Sequence, residues 1–423
     1  MEGFTTEYFC RYCTYTNTEY LEDQEEPSFR RGKWRTPERY DRALAKKGNS
    51  YSYKGIKRRS IFNDLQYFKV SDPGQPGCLG HDLFLGGVVD CDMAAMLLYF
   101  VDKGWFSHKL LNKRLSDFKC KGSDAGNKPA EVRSSGEKLG GHAVQNWTLL
   151  RLLPFLIGEE IADTSDPIWQ LYLLLKRICE FACAPALALT QIDYMRTLVS
   201  EYMKNRKPLN NNYKPKHHYF AHLADHFLYF GPLIQVWTLG FEQFHGFFKR
   251  TARICSNWIN LLYSLANRHQ LMQAYQTTGV LFPEGAVHGS QAYPLLIESY
   301  SDSMQDFLRS ANLSNTAQTI EKLSFNDIDY KLDTWILLDP VPGASDYSVG
   351  KIKLILIDSQ SYKLLLYKYK TYSWDEYGLY RIIKKDPELI FLALDTELAN
   401  PHPQAVYRFK RKRCFSLKNV LPQ

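Results

Sequence analysis

The sequence holds a single C-x-x-C pair, Cys10 and Cys13, and no second pair to complete a four-cysteine metal site. No βαβ pattern surrounds it, which argues against a thioredoxin-like redox motif. The start, MEGFTTEYFC, has no positive leader running into an apolar stretch, so a secretory signal is not expected. No apolar run approaches the roughly 20 residues that a membrane-spanning helix needs. Internal repeats are also missing, which sets aside solenoids and propellers. The nine cysteines are odd in number and mostly stand singly in apolar stretches. That pattern suits a reducing compartment rather than a disulfide framework. Together these absences predict a nuclear or cytoplasmic protein, neither secreted nor bound to a membrane.

What is present is ample material for a core. The chain has 423 residues, of which 45% are hydrophobic and 14% aromatic, enough for two or three domains. The net charge of +8 is mildly basic, and the basic residues cluster in RRGKWRTPER (30–39), KGIKRR (54–59) and RFKRKR (408–413). Each cluster reads equally well as a solvated face or as a phosphate-contacting patch, and RFKRKR also fits a nuclear import signal.

Four regions follow from the pattern. Residues 1–80 are irregular and need an outside tether to hold their start. Residues 81–277 are helical, with helices expected near 142–158, 166–183, 190–206, 216–230, 233–250 and 256–277. Asp166 before Pro167 reads as a cap and first turn. Residues 278–329 read as a polar linker. From about 330 to 423 the hydrophobicity alternates with period two, as in VGKIKLILID and YKLLLYKYK, which predicts a small β domain of barrel or strongly bent form. The fold class is therefore mainly α with a small C-terminal β domain.

The chemistry concentrates in residues 216–250, KHHYFAHLADHFLYFGPLIQVWTLGFEQFHGFFKR. Zinc held by the C-x-x-C would need two more ligands, and three histidine pairs here have suitable spacing: His217 with His222, His218 with His222, and His222 with His226. Spacing does not choose among them. A lone helical histidine is more often a hydrogen-bonded residue than a ligand, but four within ten residues favour a site. Glu242 is the isolated carboxylate of the stretch.

The line from PKHHYFAH through FGPLIQVWTLGFEQFHGFFKRTAR to LANRHQLMQAY resembles the C-terminal catalytic region of CACTA (En/Spm-type) transposases, in their animal branch. The likeness extends to QNWTLLRLLPFLIG, FKCKGSDAGNKP, CLGHDLFLGGVV, FCRYC and GKIKLILI, nearly the whole chain. The resemblance implies part of an RNase H-like DDE nuclease core interrupted by a large helical insertion, similar in layout to the vertebrate antigen-receptor recombinase. It implies a structural zinc site of Cys10, Cys13, His217 and His222, with Glu242 twenty residues beyond His222 as the third catalytic carboxylate. Such enzymes cut and join DNA with two Mg²⁺ ions on carboxylate oxygens. In a helix over 233–250, Glu242, His245 and Lys249 share a face, and Lys249, Arg250 and Arg253 are the implied phosphate contacts. Phe241, Phe244, Phe247 and Phe248 cover the core side. DNA and a second copy of the chain are the implied partners.

Two departures from the family pattern shape the expectation. The two catalytic aspartates belong before the C-x-x-C, where this chain has nine residues and no Asp. One glutamate cannot position two divalent ions, so Mg²⁺ is expected only if those aspartates are supplied. Leu85 also stands where related sequences commonly carry Glu, beside His81 and Asp82. The expected function is thus a truncated, transposase-derived protein without catalysis of its own. The alternative is a co-opted nuclear module that binds DNA or protein.

Overall fold

A computed structural model describes residues 6–22, 32–71, 74–209, 214–278, 288–326, 328–340, 347–359, 361–383, 387–394 and 401–421, except for the side chains of residues 20–22, 241, 243, 288, 339 and 340. The described chain is mainly α-helical, with an antiparallel β domain at its C-terminal end.

The helical part is built on four long helices, Val88–Asp102, Ala143–Ile157, Pro167–Ala182 and Leu189–Asn205. They share one core around Phe100, Trp169, Tyr172 and Tyr202, each fully buried. Asp166 caps its helix as its position before Pro167 predicts: Oδ1 accepts from the Ile168 amide at 2.8 Å. Val88–Asp102 is apolar on nearly every face because nearly every face is covered. With the preceding turn, Gly80–Asp102 has the length and composition of a membrane span, an apolar run the pattern reading passed over. Its apolar window is 67% buried inside the fold, as a core helix would be.

The turn before that helix is a short π-helix, Gly80–Phe84. A Cβ on Gly80 would sit 2.4 Å from the Trp237 indole nitrogen, so only glycine lets that ring pack here. The expected helix over 216–230 is two helices, Pro215–Phe220 and Leu223–Phe230, with His222 at the break (φ −91°, ψ 0°). Then come Leu239–Cys255, which carries Glu242, and Leu261–Thr277.

The polar stretch expected to be a linker is partly ordered. It carries a helix, Asp302–Ser310, and the strands Gln318–Ile320 and Lys322–Phe325. Met304 and Leu308 of that helix bury against Leu354, Leu356 and Leu365 of the sheet. Few apolar residues were enough here because each lands on an existing sheet face.

The β domain centres on two long strands, Tyr347–Asp358 and Ser361–Trp374, paired antiparallel from Ser348↔Lys370 to Asp358↔Ser361. A register shift between Ile352 and Leu354 bends the pair. The strand path starts at Pro403–Gln404 and ends at Tyr407–Phe409. Only two residues separate those end strands in sequence, so they lie within about 11 Å of each other and the sheet curls back on itself. The domain does not stand alone. Phe409, Cys414, Tyr377 and Val420 belong to the helical core, and Trp169 donates its indole N–H to the Glu376 carbonyl at 2.7 Å.

Candidate metal centre

Cys10 and Cys13 lie in an irregular segment whose backbone turns around the first sulfur. The amides of Tyr12 and Cys13 point at Cys10 Sγ (3.3 and 3.4 Å), and the Tyr15 amide points at Cys13 Sγ (3.4 Å). N–H groups aimed at sulfur favour the thiolate. The segment is held by a bridge between Cys13 and Trp34 and by Arg35, whose Nε donates to the carbonyls of both Cys10 and Cys13 at 3.0 Å.

Four groups converge from the start and the middle of the described chain: Cys10, Cys13, His218 and His222. All are buried, and their ligand atoms lie within 4.8 Å of one another. The Nε2 atoms of His218 and His222 are 3.1 Å apart, Cys13 Sγ is 3.2 Å from His218 Nε2, and Cys10 Sγ is 3.7 Å from His222 Nε2. Tetrahedral zinc with ordinary bond lengths sets nitrogen pairs about 3.3 Å apart and sulfur–nitrogen pairs about 3.6 Å apart. The donor set is two soft thiols and two imidazoles, and its spacing fits that ion.

An aromatic wall excludes water from the cluster. Tyr15 stacks flat on His218 at 4.7 Å, and Tyr12 and Trp34 meet His222 edge-on at 5.6 and 5.3 Å. Asp225 Oδ2 stands 3.7 Å from His222 Nδ1, orienting the ring from behind. Burial opposes charge on His222, but Asp225 and Cys13 raise its pKa on balance. Burial likewise opposes the Cys10 thiolate, yet hydrogen bonds from Cys13 and Tyr12 bring its pKa below the usual value. The Cys13 thiol is pushed up, chiefly by burial.

His217, the ligand implied by the family resemblance, is elsewhere. Its Nδ1 accepts from the Lys214 amide at 3.0 Å, so Nε2 carries the proton and donates to Asp92 Oδ1 at 3.0 Å. The reason is helical geometry: His218 and His222 are four residues apart and face the thiols, while His217, about a hundred degrees around the helix, faces Val88–Asp102. Asp92 there is fully buried and also accepts from Arg206 (3.0 and 2.7 Å) and Tyr202 (2.7 Å). Burial opposes its ionisation, but His217 and Arg206 hold the carboxyl far below its ordinary range. At His217 burial outweighs the pull of Asp92 and lowers the pKa of the imidazole. Nothing in spacing singled out Asp92; two carboxylates, Asp90 and Asp92, inside the apolar run VVDCDMAAMLL were the available signal. His226 is not in the cluster either, and burial together with His222 lowers its pKa to about 3.

Glu242 is in the first turn of its helix and half exposed, with Oε1 3.3 Å from His81 Nε2. His81 Nδ1 in turn lies 3.2 Å from Cys78 Sγ, which is 2.8 Å from Thr238 Oγ1. Among the described residues the Cys–His cluster is the one metal-competent group of three or more such side chains, and Glu242 is not in it. The residues described around Glu242 therefore do not fit a two-magnesium centre. Lys249, Arg250 and Arg253 are exposed on the same helix. Phe244, Phe247 and Phe248 cluster with each other and with His269 of the next helix; the Phe241 side chain lies outside the described residues. Leu85 ends the π-helix and is exposed.

No family model, curated protein or solved structure matches this chain.

Proposed function

We propose that this protein is a transposase-derived, DNA-binding module whose N-terminal segment is fastened by a structural zinc ion and which does no DNA cutting by itself. The observation that carries this reading is the buried Cys10–Cys13–His218–His222 cluster, which ties residues more than 200 positions apart. It supports the layout implied by the CACTA-like motif, in which a zinc tether precedes the glutamate of an RNase H-like core. Absence of catalysis is proposed because the residue described against the Glu242 carboxylate is an imidazole rather than a second carboxylate. Lys249, Arg250 and Arg253 would contact DNA phosphates, and RFKRKR would direct the protein to the nucleus.

Bound zinc near one per chain, together with binding to duplex DNA that weakens steeply with salt, is the expected result for the purified protein. Zinc-free protein of unchanged fold would remove the tether, and a flat salt response would remove the DNA reading. A second reading, a protein-binding module, has its own observation. The helix Leu261–Thr277 buries no residue, and Ile254, Trp258, Ile259, Leu262 and Tyr263 leave an apolar face exposed around the preceding turn.

A further inference from the structure

Two of the basic stretches in the sequence, over their described residues 33–39 and 54–59, meet in space. The helix Pro37–Lys47 places Arg39, Arg42 and Lys46 at i, i+3 and i+7, on one side. Facing it is a tight turn in which Tyr53 and Ile56 pair as a bridge around Lys54 (φ 48°) and Gly55 (φ 79°). Both central residues are left-handed, as in a type I′ hairpin turn, so a lysine is held in a conformation it seldom adopts. Between helix and turn lies a cavity of about 280 Å³ lined by Lys33, Arg35, Arg39, Arg42, Lys46 and Lys54. Among the described residues no acidic side chain lines it.

Arg35 is its most informative wall. The residue is 3% exposed, and its guanidinium reaches the carbonyls of Cys10, Cys13 and Lys54 through Nε and Nη1. Nη2 is buried and has no hydrogen-bond partner among the described residues. A buried guanidinium stays charged, and leaving one of its donors unsatisfied in a dry place is costly. A neutral zinc site of two thiolates and two imidazoles does not offset that charge. An anion with several acceptor oxygens, seated among the surrounding cations, would offset that charge.

We propose that this cavity is a phosphate-binding site, taking a phosphoryl group either as a free phosphate ester or as part of a nucleic-acid backbone. Phosphate matches the chemistry, being multiply charged and rich in acceptors, and the volume is just below the roughly 300–1,000 Å³ of drug-sized ligand pockets, as suits a small anion. The backbone carbonyls that Arg35 grips belong to the two zinc-binding cysteines, so an occupied pocket braces the metal loop from outside. The cavity rests on its own geometry; only the choice of a duplex as one source of phosphate rests on the DNA-binding reading above.

The test uses the full zinc-loaded chain with three probes: inorganic phosphate, a mononucleotide and a short DNA duplex, followed by calorimetry and fluorescence anisotropy at fixed salt. Arg39→Glu with Arg42→Glu changes exposed positions, removing the hydrogen bond from Arg39 to the Trp34 carbonyl (2.7 Å), and Arg35→Lys keeps the charge but removes the fork. Either variant is expected to weaken binding about ten-fold or more. The control, Arg408→Glu with Lys412→Glu in the β domain and outside the cavity lining, is expected to leave it unchanged. Tight binding of phosphate or mononucleotide that the pocket variants abolish identifies a free ester as ligand; duplex binding alone with the same loss identifies the backbone. The proposal is overturned if none of the probes binds, or if the hairpin control weakens binding as much as the pocket variants do. Duplex binding that falls on reversing Lys249 and Arg250 but not Arg39 and Arg42 overturns the pocket and leaves the DNA reading standing. Phosphate binding without duplex binding does the reverse.

Discussion

The two halves of the 216–250 stretch end in opposite environments. His218 and His222 are enclosed by Tyr12, Tyr15 and Trp34, while twenty residues beyond His222 the Glu242 carboxylate is half exposed. The first half is finished by residues some 200 positions earlier in the chain; the second half leans on a helix pair whose outer face is bare. A metal tether needs only four side chains and a dry wall, all of which the described residues supply. A nuclease centre needs several carboxylates on a rigid sheet, and Glu242 has neither beside it among the described residues. One motif thus carries two sites that stand or fall on different neighbours.

The contrast can be broken most forcefully at the metal. Structural zinc is worth roughly 10–16 kcal/mol in small zinc-binding peptides, so its loss is expected to free the segment 6–71 for proteolysis. Cys10→Ser and His218→Ala should each bring bound zinc, measured by elemental analysis, from near one per chain to near zero. His217→Ala should keep the zinc and lower stability instead. Zinc lost from the His217 variant and kept in the His218 variant would reverse the ligand assignment.

Asp92→Asn is the next largest effect. Removing one partner of a buried, hydrogen-bonded ion pair typically costs about 3–5 kcal/mol. The urea midpoint should drop accordingly while zinc content stays constant.

Acid should expose the same network. The folded-state pKa of Asp92 is depressed, so its contribution is fully present above the unfolded value of about 3.9 and is lost as pH falls below it. His217 and His226 are also depressed, through burial, so their contribution begins to fall near pH 6.5. Wild-type stability should therefore decline from pH 7 downward and steepen below pH 4, and Asp92→Asn should flatten the lower part of the curve. An identical slope in the two proteins would show that Asp92 is not the controlling group.

The smallest effect is expected at Glu242→Gln. A half-exposed carboxylate facing one imidazole should change stability by less than about 0.5 kcal/mol and zinc not at all. A larger loss of stability, or altered zinc content, would mean that the Glu242 region is coupled to the metal centre after all.

Much of the architecture was legible because it rests on periodicity. The helices at 143–157, 167–182 and 189–205 match apolar spacing and, at Asp166, cap chemistry; the two long strands match alternation. The helix at 302–310 was not legible, since its two buried residues gain a partner only from a sheet formed later in the chain. Asp92 was similarly hidden: its meaning depends on Arg206, Tyr202 and His217, each more than 100 residues away.

Composition and spacing by themselves determined that two cysteines and a cluster of histidines were available for one metal, and that His222 belonged to every workable pair. They also determined that the basic residues came in clusters. Which histidine joins His222, and which cations share a cavity, was decided only by the tertiary fold. Adjacent positions on a helix point about 100° apart, so the choice between His217 and His218 depends on which side the Cys10–Cys13 loop docks. That side is set by packing of the N-terminal segment against Tyr219 and Trp34, a contact between distant parts of the chain that no local pattern encodes.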